Sequence, residues 1–270
     1  MLNSITAEYH QRNLIQDMAY SFNIPTGNLT KRQDYVNGTV QVFSYDDFNR
    51  LTGVQPGPEY RYDDQGNMSF KEDISPNGRL NYGENGDGPH ALTSISKCEV
   101  DLPARKIKYS YFNKVKKISE GTKSAEFVYG PDQNRKKMEI FEDGDLKKRK
   151  YYFNGFEITE QDGITRTVHY INGNNGTVAV YVEETGQSGE LYYVHKDHLG
   201  SFQVITGEQA NVYEEINYSD PWGNTTPAFF GRGFTGHEHI AEFSLINMNG
   251  RMYDPATARF LSSDNFVQAP

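Results

Sequence analysis

The sequence predicts an all-β protein, a repetitive strip of antiparallel β-hairpins that ends in a less regular region. Aromatic residues make up 13% of the 270 residues, and aliphatic side chains are scarce, which suits pleated β-surfaces better than an aliphatic α/β core. A pattern of two aromatic residues and a polar turn recurs roughly every 20 residues, the spacing of a repeat architecture. No segment has the periodicity of a long amphipathic helix.

The repeat is aromatic-x-aromatic, then a polar turn containing Asp, Asn or Gly, then an apolar residue. Its clearest copies begin at Phe43 and at Tyr60. The second aromatic residue marks each copy, at Phe22, Tyr45, Tyr62, Tyr82, Tyr111 and Tyr129. The mean step between these markers is about 21 residues, so the unit persists while its loops vary in length.

Each unit is expected to be a strand, a tight turn and a return strand. Two aromatic rings separated by one residue lie on the same face of a strand. The aspartate that follows, Asp46 or Asp63, can accept backbone N–H groups and start an Asx turn. Gly66, or an Asn at the equivalent place of another copy, suits the left-handed backbone of such turns, and Asn67 is the last polar residue of the motif. One hairpin cannot bury its apolar face alone, so we expect neighbouring hairpins to join into one sheet.

Composition and charge exclude several classes of protein. The richest apolar run, at positions 178–182, is far too short to cross a bilayer. No secretory signal is visible at the start of the chain.

Cys98 is the sole cysteine, which excludes an internal disulfide and thiol-rich metal sites. The net charge is −9. Basic clusters around positions 114–117, 135–137 and 147–150 are interpreted as solvated strand faces, so nucleic-acid binding is not expected.

After about residue 185 the pattern changes, and four motifs follow one another: DHLGS at 197–201, YSDPWGN at 218–224, GFTGHE at 233–238 and NGRMYDPATARFLSSD at 249–264. The Tyr-Asp turns resemble YD repeats, and the ordered motifs resemble the RHS-associated core that lies near the C-terminus of RHS and YD-repeat proteins. We expect Asp197, His198, Gly200, Trp222 and Asp254 to be structural residues of that core.

The resemblance implies a β-strip that forms a hollow shell around a variable toxin, in bacterial polymorphic toxins and toxin complexes. We therefore expect YD repeats over 1–185, an RHS-associated core over 186–265 and a truncated tail over 266–270. The expected function is a non-catalytic shell and plug. Its implied partners are a C-terminal toxin and the remaining shell of the same polypeptide, together with immunity or delivery proteins. Such a longer polypeptide would be secreted or at the cell surface.

The resemblance also implies a self-cleaving, aspartic-protease-like site. The matching positions are Arg251 and Asp264. Aspartyl chemistry uses two carboxylates that share a proton, and the family's second aspartate lies further downstream than this sequence extends. Asp254 is interpreted as a turn residue and not as that second aspartate. The expectation is therefore no enzyme activity in this chain.

Two further interpretations stay open at this point. Exposed aromatic rings could stack on sugars, which would make the chain a glycan-binding adhesion module. His237 and His239 would share one strand face and could approach a metal, but a third ligand is not predicted. We expect neither a metal nor a cofactor.

Overall fold

A computed structural model describes residues 3–9, 13–100 and 102–264 of the chain. Antiparallel β-strands form almost all of its regular structure, and the remaining elements are three single-turn 3₁₀ helices, at Glu84–Gly86, Phe234–Gly236 and Ala241–Phe243. The predicted fold class is confirmed. The described residues contain no helix long and apolar enough to cross a membrane.

The chain divides into two compact units, residues 1–102 and 103–270. The first unit contains nine strands: β1 (Ser4–Tyr9), β2 (Asn13–Phe22), β3 (Leu29–Asp34), β4 (Thr39–Tyr45), β5 (Leu51–Gln55), β6 (Tyr60–Tyr62), β7 (Met68–Lys71), β8 (Leu80–Tyr82) and β9 (Leu92–Ile95). Strands β1 to β5 form one sheet in chain order, and β6–β7 and β8–β9 are separate hairpins.

The second unit is built on an eleven-stranded antiparallel sheet in chain order. Its strands are β10 (Arg105–Tyr109), β11 (Val115–Glu120), β12 (Lys123–Tyr129), β13 (Arg135–Glu142), β14 (Asp145–Tyr152), β15 (Phe156–Gln161), β16 (Ile164–Gly173), β17 (Gly176–Glu184), β18 (Glu190–Lys196), β19 (Phe202–Gly207) and β20 (Val212–Glu215). Each strand pairs with its sequence neighbours, as expected when short loops connect antiparallel strands.

A second, four-stranded sheet follows in the same unit. It consists of β21 (Glu238–Ile240), β22 (Leu245–Met248), β23 (Arg251–Asp254) and β24 (Arg259–Phe260), again in chain order. Ile240, Leu245 and Met252 of this sheet share a buried apolar cluster with Phe127 and Ile140 of the long sheet. The four-stranded sheet is thereby packed on one face of the eleven-stranded sheet.

The residues before β21 cover the rest of that face. Phe230 and Ile216 share a second apolar cluster with Val168, Val180 and Ile205 of the long sheet. Side chains alternate between the two faces of a strand. Apolar residues of β12, β13 and β16 to β19 therefore lie under the C-terminal segment.

The predicted boundary between repeats and core, at residues 185 and 186, falls in the turn between β17 and β18. The sheet continues across it, because Val180 pairs with Tyr192 in register. The division of the chain into repeats and core stays a prediction. The predicted tail, 266–270, lies outside the described residues.

Candidate functional site

The turn of the repeat is held by its aspartate. Asp63 Oδ1 accepts the backbone N–H groups of Gln65 at 2.9 Å and Asn67 at 2.8 Å, and Oδ2 accepts the Asn67 side-chain amide at 3.0 Å. Gly66 has a φ of 83°, the left-handed conformation that glycine adopts at no steric cost. Desolvation alone would raise the pKa of the Asp63 carboxyl, but hydrogen bonds from Asn67 and Gln65 lower it below its usual value.

The neighbouring copy has the same geometry. Asp46 Oδ1 accepts the N–H groups of Phe48 and Arg50 at 3.0 and 2.9 Å. The Arg50 guanidinium binds Asp46 Oδ2 at 2.6 Å and lies 4.5 Å from the centroid of the Tyr62 ring. An arginine in the turn of one hairpin thus contacts the tyrosine of the next, by a cation–π interaction.

In four of the six copies, those of Tyr45, Tyr62, Tyr82 and Tyr129, the second aromatic residue joins successive hairpins. The Tyr62 hydroxyl donates to the carbonyl oxygen of Leu51 at 2.9 Å, the first residue of the preceding return strand. Burial of this ring raises the pKa of Tyr62 to about 12. Equivalent bonds run from Tyr45 to Leu29, from Tyr82 to Met68, from Tyr129 to Val115 and from Tyr218 to Phe202, at 2.9, 2.8, 2.6 and 2.9 Å.

One predicted repeat marker, Tyr111, is wrong. Its side chain is 94% exposed and lies in the turn, whereas Tyr109 ends β10 and donates its hydroxyl to the Leu261 carbonyl. Ser110 occupies the aspartate position here, where its hydroxyl accepts the N–H of Lys114 at 3.2 Å. The aromatic-x-aromatic pattern at 109–111 therefore straddles the end of the strand.

The core motifs contain the same Asx turn as the repeat, a likeness that the sequence analysis did not predict. Asp197 Oδ1 accepts the N–H groups of Leu199 and Ser201 at 2.9 and 2.8 Å, and Gly200 has a φ of 83°. Half-buried His198 lies within this turn. Asp220 repeats the arrangement, because its Oδ1 accepts the N–H of Trp222 at 2.8 Å. The sequence signal that could have indicated these turns is the Asp-x-x-Gly spacing that they share with Asp63 and Gly66.

The two candidate catalytic residues lie together. Arg251 Nη2 is 3.0 Å from Asp264 Oδ2, with side chains 27% and 53% exposed. The Arg251 guanidinium also lies 3.8 Å from the centroid of the Phe260 ring. Asp254 has separate partners: Oδ1 accepts the N–H of Ala256 at 3.0 Å, and Oδ2 pairs with Arg105 at 3.2 Å. Arg251 therefore holds the Asp264 carboxylate in place, and Asp254 takes no part in this pair.

The two closely spaced histidines have different roles. His239 Nε2 accepts the backbone N–H of Phe234 at 3.0 Å, whereas His237 Nδ1 lies 2.8 Å from the Thr235 carbonyl oxygen. Burial lowers the pKa of His239 to about 4, which keeps the ring neutral and able to accept. Among the described residues, no group of three or more His, Cys, Asp or Glu side chains is arranged to hold a metal.

A buried ionic network lies between the two sheets of the second unit. Lys150 Nζ is 2.7 Å from Glu157 Oε2 and 2.7 Å from Glu238 Oε1. Arg135 Nη1 binds Glu238 Oε2 at 3.3 Å, and an Arg232 guanidinium nitrogen binds Glu157 Oε1. All five charged groups come from the long sheet or from the segment that covers it.

Neutral groups complete the network. The hydroxyls of Tyr152 and Tyr170 donate to Glu238 and Glu157 at 2.8 and 3.0 Å, and the Asn247 amide donates to Glu238 at 3.2 Å. Burial alone would raise the pKa of Glu238, but the charges of Lys150 and Arg135 outweigh it and lower the pKa to about 2. The network therefore holds Glu238 ionised although it is only 3% exposed.

The interpretation of every basic cluster as a solvated strand face is wrong for two residues. The Lys150 side chain is 6% exposed and that of Arg135 is 9% exposed. Lys150 pairs in register with Met138, so it lies on the face that packs against the C-terminal segment. Lys147, the unpaired residue at the bulge of the same strand, is 48% exposed. Strand alternation was the available signal for Lys150, and Glu157 lies on the next strand, but Glu238 is 88 residues away in the sequence and could not be assigned as a partner.

Comparison with known proteins establishes the fold. No family model and no curated protein matches the sequence. A solved structure of TcdB2–TccC3 matches 98% of the chain with a TM-score of 0.79 and 14% identity. TcdB2–TccC3 without its hypervariable C-terminal region matches 97% of the chain with a TM-score of 0.78 and 14% identity. The Tc holotoxin pore of Photorhabdus luminescens, with a substituted TccC3, matches 93% with a TM-score of 0.71 and 15% identity.

These matches cover 16% to 17% of the solved chains. The present chain therefore spans about a sixth of their length. At such identities the likeness shows a shared fold, that of a segment of the Tc toxin proteins TcdB2–TccC3.

Proposed function

We propose that this chain is part of a β-sheet shell that encloses or presents a C-terminal toxin region of the same polypeptide, in the manner of RHS-type toxins. One observation carries the proposal: 97% to 98% of the chain has the fold of TcdB2–TccC3. The sequence motifs independently resemble the RHS-associated core, whose family includes toxin-complex components. The role is structural, and the chain itself is not an enzyme.

The geometry of the repeat is suited to a continuous β-sheet shell. Each tyrosine such as Tyr62 bonds to the preceding hairpin, so the same contact can be repeated with every added hairpin. The long sheet in the second unit shows that such hairpins assemble into a continuous surface of eleven strands. A repetitive sheet of this kind can enclose volume without a large apolar core.

The partners follow from the same proposal. TccC3 has a hypervariable C-terminal region, as the name of one solved structure states. We expect a variable toxin region beyond the core in the complete polypeptide, with further shell strands, and immunity or delivery proteins as separate partners. The complete polypeptide would then be secreted or exposed at the cell surface.

Limited proteolysis of the polypeptide encoded by the complete gene tests encapsulation. Residues that follow position 264 should resist protease while the β-shell is folded. They should be digested when expressed separately, or after the shell is unfolded with guanidinium. Equal digestion rates in the native polypeptide and in the separate segment would contradict the proposal.

A second candidate, self-cleavage by an aspartyl group, is favoured by the 3.0 Å pair between Arg251 and Asp264. In this reading Arg251 orients the Asp264 carboxylate, and a second carboxylate from another part of the complete polypeptide shares the proton. Comparing the wild-type complete polypeptide with Asp264→Asn on a denaturing gel tests it. Cleavage that survives the substitution removes Asp264 from the chemistry.

The aromatic cluster of Phe153, Phe156 and His169 does not favour a glycan-binding role. Phe153 and Phe156 stack with centroids 4.5 Å apart and planes at 9°, and Phe156 stacks on His169 at 5.4 Å. Sugars stack on exposed ring faces, and these faces cover one another. Tyr111 and Phe48 are 94% and 79% exposed, so a glycan array with the folded chain is the test of this role, and specific binding would support it.

A further inference from the structure

A cavity of about 390 Å³ lies in the second unit, between strands β13 to β16 and the segment 229–239. Its lining includes the charged residues Lys150, Glu157 and Glu238, and the apolar residues Val168 and Phe230. Val168 is 4% exposed and Phe230 is 5% exposed. This size is within the range of small-molecule sites, which combine apolar walls with a few polar groups.

The buried network that borders the cavity carries more positive than negative charge. Arg135, Lys150 and Arg232 contribute three positive charges, and Glu157 and Glu238 contribute two negative charges. The sum is +1. An uncompensated charge is expensive to bury unless a counter-charge reaches it.

Hydrogen-bond donors are also in excess in this network. Each carboxylate oxygen of Glu157 and Glu238 already accepts at least one donor. Lys150 uses two of its three N–H donors, on those two glutamates. Among the described residues no acceptor reaches the buried Nε of Arg135 or Arg232. Lys150 lines the cavity, so its third N–H is the donor of this network that an anionic acceptor in the cavity can reach.

Other charges near the cavity do not supply this acceptor. Lys148 pairs with Glu242 at 3.0 Å, and Arg166 pairs with Glu184, so each of these pairs sums to zero. Asp162 lies in an exposed turn at the cavity lining. His239 stays neutral, because burial lowers its pKa to about 4.

We propose that this cavity binds a monocarboxylate that carries a small apolar group. The carboxylate accepts the third N–H of Lys150 and neutralises the network, and the apolar group packs against Val168, Phe229 and Phe230. The carboxylate can belong to a free organic acid or to the terminus of a polypeptide. The site does not depend on encapsulation, so either proposal can fail without the other.

Isothermal titration of the folded chain with phenylacetate, and with phenylacetamide as the neutral analogue, tests the site. A charge-assisted hydrogen bond contributes about 1.5–3 kcal/mol, so phenylacetate should bind roughly 10-fold to 100-fold more tightly. The tripeptide Gly-Gly-Phe and its C-terminal amide form the second arm. Preference for the free tripeptide assigns a polypeptide terminus, and binding of phenylacetate alone assigns a free acid.

The Ile164→Trp variant places a larger side chain in the cavity lining, at a position that is 50% exposed. We expect it to weaken phenylacetate binding at least about 10-fold, without loss of the unliganded fold. Ile171→Trp on the same strand is the control, since Ile171 is 45% exposed and lies outside the cavity lining. Equal affinity for acid and amide, unchanged binding in Ile164→Trp, or no binding at about 20 mM would each overturn the proposal.

Discussion

The ammonium nitrogen of Lys150 lies 2.7 Å from Oε1 of Glu238, although 88 residues separate them in the sequence. Lys150 belongs to β14 of the long sheet, and Glu238 begins β21 of the four-stranded sheet. Arg135 binds the other oxygen of the same carboxylate. The two sheets are thus joined by a buried charge network as well as by apolar contact.

Removing the central carboxylate should destabilise the second unit strongly. Glu238→Ala leaves Lys150 and Arg135 buried without their shared partner, and breaking a buried pair in this way costs about 3–5 kcal/mol. Urea unfolding followed by circular dichroism measures it. The control is Glu126→Ala, which removes a 48% exposed partner of Lys117 and should cost less than about 1 kcal/mol. Similar losses in both variants would contradict a structural role for the network.

The tyrosine hydroxyl of the repeat should contribute measurably to stability. Tyr62→Phe keeps the ring but removes the 2.9 Å bond to Leu51, and a typical buried hydrogen bond contributes about 1 kcal/mol. Chemical denaturation of the variant should show this loss. Tyr35→Phe, at a ring that is 55% exposed in the same unit, serves as the control and should leave stability unchanged. No difference between the two variants would count against the tyrosine contact.

Two glycines with positive φ should respond differently to alanine. Gly223 has a φ of 97°, and a Cβ there would lie 2.5 Å from Cγ of Phe234; Gly200 has a φ of 83° with nothing within 4 Å. Gly200→Ala should cost about 1 kcal/mol from backbone strain, and Gly223→Ala about 1–3 kcal/mol more from overpacking. Denaturation monitored by the fluorescence of Trp222, the single tryptophan, measures both. Equal costs would show that Phe234 moves away freely.

Stability should fall as the pH decreases from about 6.5 to 4. The pKa of His239 is about 4 in the folded chain, against an ordinary value of 6.5. The unfolded chain therefore takes up a proton in this window and the folded chain does not, which favours unfolding by up to about 3 kcal/mol. His239→Gln can still accept the Phe234 N–H and should flatten the dependence. His169→Gln, at a side chain that is 43% exposed, should retain it. A slope that is unchanged in His239→Gln would exclude this group as its cause.

The Arg251–Asp264 pair should matter little for stability. Asp264 is 53% exposed, and exposed ion pairs contribute about 0–1 kcal/mol. Thermal unfolding of Asp264→Asn should therefore differ little from that of the wild type. An effect on processing of the complete polypeptide could then be attributed to chemistry. A loss of more than about 2 kcal/mol would instead give Asp264 a structural role.

Local features of the fold could be predicted because their causes are local. The alternation of aromatic residues, and an aspartate three residues before Gly66, indicate strand and turn within a single copy of the repeat. The pattern was less reliable in the copy where Ser110 replaces the turn aspartate. Tyr109 and Tyr111 both match the second aromatic position of the repeat. Tyr109 occupies it, because β10 ends at Tyr109.

The candidate site could be predicted only in part. Arg251 and Asp264 were selected by a resemblance, and their 3.0 Å contact depends on the pairing of β23 with β24. The ionic network was missed. A lysine in a basic run is usually solvated, and nothing near Lys150 in the sequence indicates that the remote Glu238 pairs with it.

The sequence alone predicted the antiparallel hairpins of the repeat and their Asx turns, because hairpins depend on side-chain alternation and on turn residues only a few positions apart. Tertiary contacts set which face of the long sheet is covered, which cations are buried there and where the cavity lies. Those outcomes depend on the C-terminal segment packing across strands that are remote in the chain, where Glu238 meets Lys150 and Arg135. Burial and charge pairing depend on distances in the folded chain, and the order of residues in the sequence does not give these distances.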